Sequence, residues 1–100
     1  MTFFMVTATF PPDKATGVGK VFTSGKLTEL PSFVKRINIF VVPEGNIKTY
    51  AIYECEDEKA HEGYKAIAKR YTGYYELEGW KHKIEHLLTP NEALPMIGLG

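Results

Sequence analysis

The 100 residues carry twelve Lys and Arg against twelve Asp and Glu, so no net field gathers nucleic acid or an anionic membrane surface. That length is ordinary for one domain, 1–100, whose core can hold a fold without metal or disulfide. Cys55 is the single cysteine, which excludes an intramolecular disulfide and a one-chain cysteine zinc cage and fits a reducing, cytoplasmic compartment.

The apolar stretch from Met1 to Val6 lacks a preceding basic region and is interrupted by Thr2, Thr7 and Thr9, so it is not read as a signal peptide. No stretch approaches the ~20 apolar residues of a membrane span. Phe3 to Phe10 is aromatic and β-branched and stops at Pro11-Pro12, which predicts a strand ended by residues that cannot continue a ladder. Ala15, Val18, Val21 and Phe22 then recur at helical spacing, with Asp13 near the positive end of the dipole and Gly25 as a stop. Gly17 and Gly19 within this helix cost roughly 1 kcal/mol each against alanine. Either the helix is marginal or the glycines permit a close approach to the sheet.

Phe33 to Val42 and Ile47 to Glu54 are alternating runs separated by Pro43-Glu44-Gly45-Asn46, the composition of a hairpin. Asp57 has the chemistry of an N-cap for a second helix whose stripe is Ala60, Tyr64, Ile67, Ala68, Tyr71 and Tyr75. Gly79 closes that region and Trp80 to Leu88 reads as the last strand. Thr89-Pro90-Asn91-Glu92 has the form of a capping box with proline in the first turn, predicting a short helix over 90–96.

The order strand, helix, strand, strand, helix, strand, short helix is the split β-α-β arrangement: an α+β, ferredoxin-like β-α-β-β-α-β domain with a four-stranded antiparallel sheet. Right-handed crossovers put both long helices on one face. Strict alternation assigns Phe33, Lys35, Ile37, Ile39 and Val41 to the helix side, and it leaves Phe3, Met5, Phe40, Tyr50 and Ile52 on the open face, with Arg36, Asn38 and Glu54 among them. So much apolar surface calls for a partner. A second copy facing it would enclose a barrel-like interior, making the chain a homodimer through the sheet face.

Three stretches stand out together: Phe10-Pro11-Pro12-Asp13-Lys14-Ala15 after the first strand, Tyr50-Ala51-Ile52-Tyr53-Glu54, and the ending from Ile84-Glu85-His86-Leu87-Leu88 through Leu94. On these the whole chain resembles the dimeric α/β-barrel group of ferredoxin-like proteins, in particular its small members. The resemblance implies the fold and the dimer. The group includes cofactor-independent monooxygenases, haem-dependent enzymes, isomerases and stress-responsive proteins, and no motif in this sequence selects among them.

Candidate chemistry is sparse. His82 and His86 would share a helix face, but on a strand they lie roughly 13 Å apart, too far to share a metal ion. His61, among charges at the start of the second helix, reads as a solvated side chain. Thr16 to Lys20 is glycine-rich, yet Lys14 stands where a phosphate loop needs its first glycine and Val21 where it needs a hydroxyl. Cys55 lies between Glu54 and Glu56, whose charges disfavour a thiolate. Tyr64, Tyr71, Tyr74, Tyr75 and Trp80 read as core aromatics rather than a base-stacking platform.

The set that merits a site assignment is Arg36, Asn38, Tyr50 and Glu54, expected to project together into the dimer interior. Arg36 and Glu54 would form an ion pair that fixes register, or the four would orient a ligand or move a proton. The reading from sequence is a small homodimeric protein that holds a small apolar or aromatic molecule in the dimer interior, with no cofactor, no metal, no nucleic acid and no membrane partner. The alternatives are a cofactor-independent monooxygenase or isomerase using Asn38, Tyr50 and Glu54, and a structural subunit whose sheet docks another protein.

Overall fold

The computed structural model describes every residue from Met1 to Gly100. Four strands, β1 (Thr2–Phe10), β2 (Val34–Pro43), β3 (Ile47–Cys55) and β4 (Lys81–Leu87), form one antiparallel sheet in the order β2-β3-β1-β4. Helices α1 (Ala15–Thr23) and α2 (Ala60–Tyr71) lie between β1 and β2 and between β3 and β4, and a short α3 (Pro90–Ala93) follows the sheet. This α+β arrangement fits a ferredoxin-like fold. No helix is long and apolar enough to cross a membrane.

The side-chain alternation expected for β1 is observed: Phe4, Val6, Ala8 and Phe10 are buried under the helices, while Phe3, Met5, Thr7 and Thr9 are half-buried on the other face. Register carries this across the sheet. Val6 stands between Ala51 and Ile84, and Met5 between Ile52 and Glu85. The core joins Phe4 and Val6 to Val34, Ala51, Tyr53, Cys55, Ile67, Tyr71 and Tyr74.

β2 departs from the expected alternation. Arg36 pairs with Tyr53 and Asn38 with Ile52, so Ile37 is an extra residue in a β-bulge. Two residues in one strand oppose one in the other, and the side-chain phase flips at that point. Val34 and Arg36 therefore share the helix side with Ile39 and Val41, while Lys35, Asn38 and Phe40 share the open face. The assignment of Phe33, Lys35, Ile37, Ile39 and Val41 to one continuous helix-facing row is corrected accordingly.

The second helix is also displaced from its expected stripe. Gly63, Ile67 and Tyr71 form its buried line, whereas Tyr64 and Tyr75 are exposed. The reason is proximity: a Cβ at Gly63 would lie 2.9 Å from Cys55 Sγ and 3.5 Å from Val34, so only hydrogen lets α2 settle on the sheet there. Asp57 does not cap this helix. It sits in a 3-10 turn and accepts a 2.8 Å hydrogen bond from the Thr2 hydroxyl, tying the start of α2 to the start of β1. Gly79, at φ +85°, makes the turn into β4 with Pro11 packed where a side chain would go.

The capping box before α3 forms as the sequence predicts, with Glu92 N donating to Thr89 Oγ1 and Thr89 N donating to Glu92 Oε1. The helix tightens to 3-10 geometry over Leu94–Ile97. Met96, Ile97 and Leu99 are more than half exposed. The radius of gyration, 15.1 Å, exceeds the ~13 Å of a compact chain of this length.

Candidate functional site

Between α1 and the covered face of the sheet lies a cavity of about 310 Å³ lined by 15 residues, 11 of them hydrophobic. Its placement follows from the composition of α1. Ala15, Val18 and Gly19 border it from α1, with Gly19 at an exposed rim where a Cβ would meet nothing within 4 Å. A helix of such residues covers the sheet without filling the space beneath it. Ile39 and Val41 of β2 and Thr49 and Tyr53 of β3 form the floor.

One wall is aromatic. Trp80 stacks on Tyr74 with ring centroids 4.2 Å apart and an interplanar angle of 10°, and on Phe10 at 5.8 Å and 11°. Tyr71 meets Tyr53 edge-on, and their hydroxyls share a buried 2.9 Å hydrogen bond. Burial, reinforced by the neighbouring Tyr53 hydroxyl, pushes the Tyr71 phenol far above its ordinary range, and burial also raises Tyr74. Both stay neutral, so the wall offers hydroxyls and no anion. The expectation that these tyrosines are core residues holds for Tyr71 and Tyr74 and fails for Tyr64 and Tyr75.

Behind the wall, Trp80 Nε1 donates to His82 Nδ1 at 2.8 Å. An indole N–H only donates, so His82 accepts at Nδ1 and is neutral. Burial holds its pKa below the usual imidazole value. His86, on the same side of β4, packs on Phe4 at 5.1 Å and shares a shallow crevice with His61 and Tyr64. No group of three or more His, Cys, Asp or Glu is placed to hold a metal ion.

The cavity contains no carboxylate. Its charged members are Arg36 and Arg70. Arg70 donates to the Thr28 carbonyl at 3.0 Å and borders a neighbouring crevice with Glu29. Arg36 has its guanidinium 5.4 Å from the centroid of the Phe22 ring and takes part in neither of the chain's two ion pairs.

The four residues singled out in the sequence are thus divided. Asn38, Tyr50 and Glu54 are on the open face, opposite Ile52, Phe40 and Lys35 respectively. Tyr50 and Glu54, four residues apart on one strand, are separated by roughly 13 Å. Arg36 is on the other side of the sheet. The Arg36–Glu54 ion pair is therefore excluded, and the physical reason is the bulge at Ile37, which rotates Arg36 away from Glu54 and into the cavity. Sequence reasoning also missed Tyr53, Thr49 and Arg70 as neighbours of one space.

Cys55 is buried, and burial first, then the carboxylates of Asp57 and Glu56, raises its thiol pKa. That agrees with an inert, structural thiol. Glu54, expected to contribute, instead faces the opposite side of the sheet from Cys55.

Compared with models of known protein families, with curated proteins and with solved structures, the chain matches none.

Proposed function

We propose that this protein binds a small, largely apolar molecule within each chain, in the cavity between α1 and the sheet, and that two copies assemble through the open sheet face as in the dimeric α/β barrels. The observation that carries the binding reading is the cavity itself. A space of about 310 Å³ with 11 hydrophobic residues among 15 has the size and lining of small-molecule sites, and a few inward polar groups can orient a ligand there. This moves the ligand from the dimer interior to a partly open cavity within each chain.

Assembly is supported by what the open face presents. Phe40 is 55 % exposed, and Tyr50, Ile52, Met5 and Phe3 continue from it across the neighbouring strands. An apolar band of that extent is ordinarily covered. Exposed Met96 and Ile97 beyond α3 add surface that a second copy could bury.

Trp80 is the only tryptophan and lines the cavity, so its emission reports occupancy. Titration with N-phenyl-1-naphthylamine, a neutral aromatic amine, is expected to quench Trp80 saturably by energy transfer, and Gly19→Phe, which fills the space above the floor, is expected to suppress the signal. An unsaturable response, or one unchanged in Gly19→Phe, rejects the cavity as a ligand site. Native mass spectrometry at micromolar concentration checks assembly, and a clean monomer rejects the dimer.

A further inference from the structure

We propose that the cavity is selective for a small aromatic carboxylate, whose ring lies against the Trp80 and Tyr74 wall and whose carboxylate is received by Arg36. This rests on the cavity being a ligand site and specifies its chemical class. Three observations converge on it.

The lining is one-sided in charge. Two guanidinium groups and no carboxylate border the space, although the chain has as many acids as bases. Arg70 is partly committed to the Thr28 carbonyl, but Arg36 has no ion-pair partner and rests against the Phe22 ring. A guanidinium presents a planar fork of donors that matches a carboxylate bidentately, and aromatic stacking leaves that fork free.

The second observation is how Arg36 comes to be there. Uninterrupted alternation from Phe40 would put residue 36 on the open face, and the bulge at Ile37 reverses it. Bulges that re-aim one side chain occur next to binding sites. Here the bulge brings Arg36 to the cavity while Ile39 and Val41 still complete the apolar floor.

Third, the remaining polar groups are compatible with an anion. Arg36 and Arg70 both lie near enough to the Tyr74 hydroxyl to favour its ionised form, so the positive field extends to the aromatic wall. Burial nevertheless keeps Tyr71 and Tyr74 neutral. Trp80, Tyr74 and Phe10, stacked on one another at 10° and 11°, border the cavity as an aromatic wall against which an aromatic ring gains contact.

The test compares 2-naphthoate with 2-naphthamide, which have the same ring and nearly the same shape but differ in charge. Binding is followed by Trp80 emission and by isothermal calorimetry at pH 7. Wild type is expected to bind naphthoate at least about tenfold tighter than naphthamide, the scale of one charge-assisted contact. Arg36→Gln should abolish that preference by weakening naphthoate far more than naphthamide, and Arg36→Lys should retain part of it. Residue 36 is exposed, so these variants should keep the wild-type melting temperature, which is measured alongside. Naphthamide binding as tightly as naphthoate, or a preference that survives Arg36→Gln, overturns the carboxylate assignment and leaves the cavity reading intact. Failure of both compounds to bind overturns the two together.

Discussion

On the covered face of β1, Phe4, Val6 and Ala8 are at most 2 % exposed, while Phe3, Met5 and Thr7, alternating with them in the same strand, keep part of their surface in water. The difference comes from what lies above each face. Against one side α2 lays Ile67 and Tyr71 and α1 lays Val18 and Val21; the other side has no layer of this chain over it. Composition does not separate the two faces: Phe40, Tyr50 and Ile52 are as apolar as their covered counterparts. Burial by the chain's own helices makes the first face the source of stability, and it leaves the second to the association proposed above.

Paired substitutions break this comparison most directly. Ile67 is fully buried, and Ile67→Ala is expected to cost about 2–5 kcal/mol in urea unfolding, the loss of apolar contact plus an unfilled cavity. Phe40→Ala removes a larger side chain from the open face, yet at concentrations where the chain is monomeric it should change stability by no more than about 0.5 kcal/mol. Its effect is expected in the proposed assembly. The rise of wild-type stability with protein concentration that a dimer produces should be reduced in Phe40→Ala and kept in Ile67→Ala. Equal losses from both substitutions in the monomer would show the two faces to be energetically alike.

Gly63 sharpens how tightly the covered face is closed. Gly63→Ala brings a methyl group to 2.9 Å from Cys55 Sγ, and overpacking of this kind costs about 1–3 kcal/mol. Because the clash is with one atom, Cys55→Ala should recover much of the loss in a double-mutant cycle, with a coupling of at least about 0.5 kcal/mol. Strict additivity in chemical denaturation would mean that α2 shifts as a whole instead.

A smaller effect distinguishes the faces by pH. His82, on the covered side, is held neutral by burial and accepts from Trp80. Its folded pKa lies below the unfolded value of about 6.5, so the unfolded chain binds the extra proton first. The stabilisation is therefore fully present above about pH 6.5 and is lost as pH falls through the folded pKa. Asp57 and Glu92, lowered by hydrogen bonds from Thr2 and Thr89 respectively, have unfolded values near 4 and act at lower pH. Thermal melts from pH 7.5 to 5 should fall for wild type and flatten in His82→Gln.

How much of this could be read from the chain depends on whether the deciding contact is local. Element order, the capping box at Thr89 and the alternation of β1 follow from neighbours in sequence, and all three are present in the structure. The bulge is not of that kind. Lys35-Arg36-Ile37-Asn38 contains no glycine and is compatible with regular strand throughout, so nothing local marks Ile37 as the extra residue. Val34 and Val41 lie on the helix side at once, and only the pairing with β3 reveals that seven positions must absorb a phase change. The cavity was equally hidden, being a gap between elements distant in sequence. Its one local trace was the small-residue content of α1, which suggested a close approach of helix to sheet rather than the space observed at Gly19.

The two glycines of α1 give the smallest predicted effect and the finest distinction. A Cβ at Gly17 would stand 3.2 Å from Leu77 Cδ2, whereas one at Gly19 meets nothing within 4 Å. Both lie in the same helix and carry the same intrinsic penalty, up to about 1 kcal/mol against alanine. Gly19→Ala should therefore raise stability by most of that amount, while Gly17→Ala should gain less because Leu77 must move. A methyl group is too small to fill about 310 Å³, so Gly19→Ala should keep the binding that Gly19→Phe suppresses. If Gly17→Ala proved the more stabilising of the two in thermal melts, α1 would have to sit closer to the sheet at Gly19 than the open space above the floor implies, and the cavity would be correspondingly smaller.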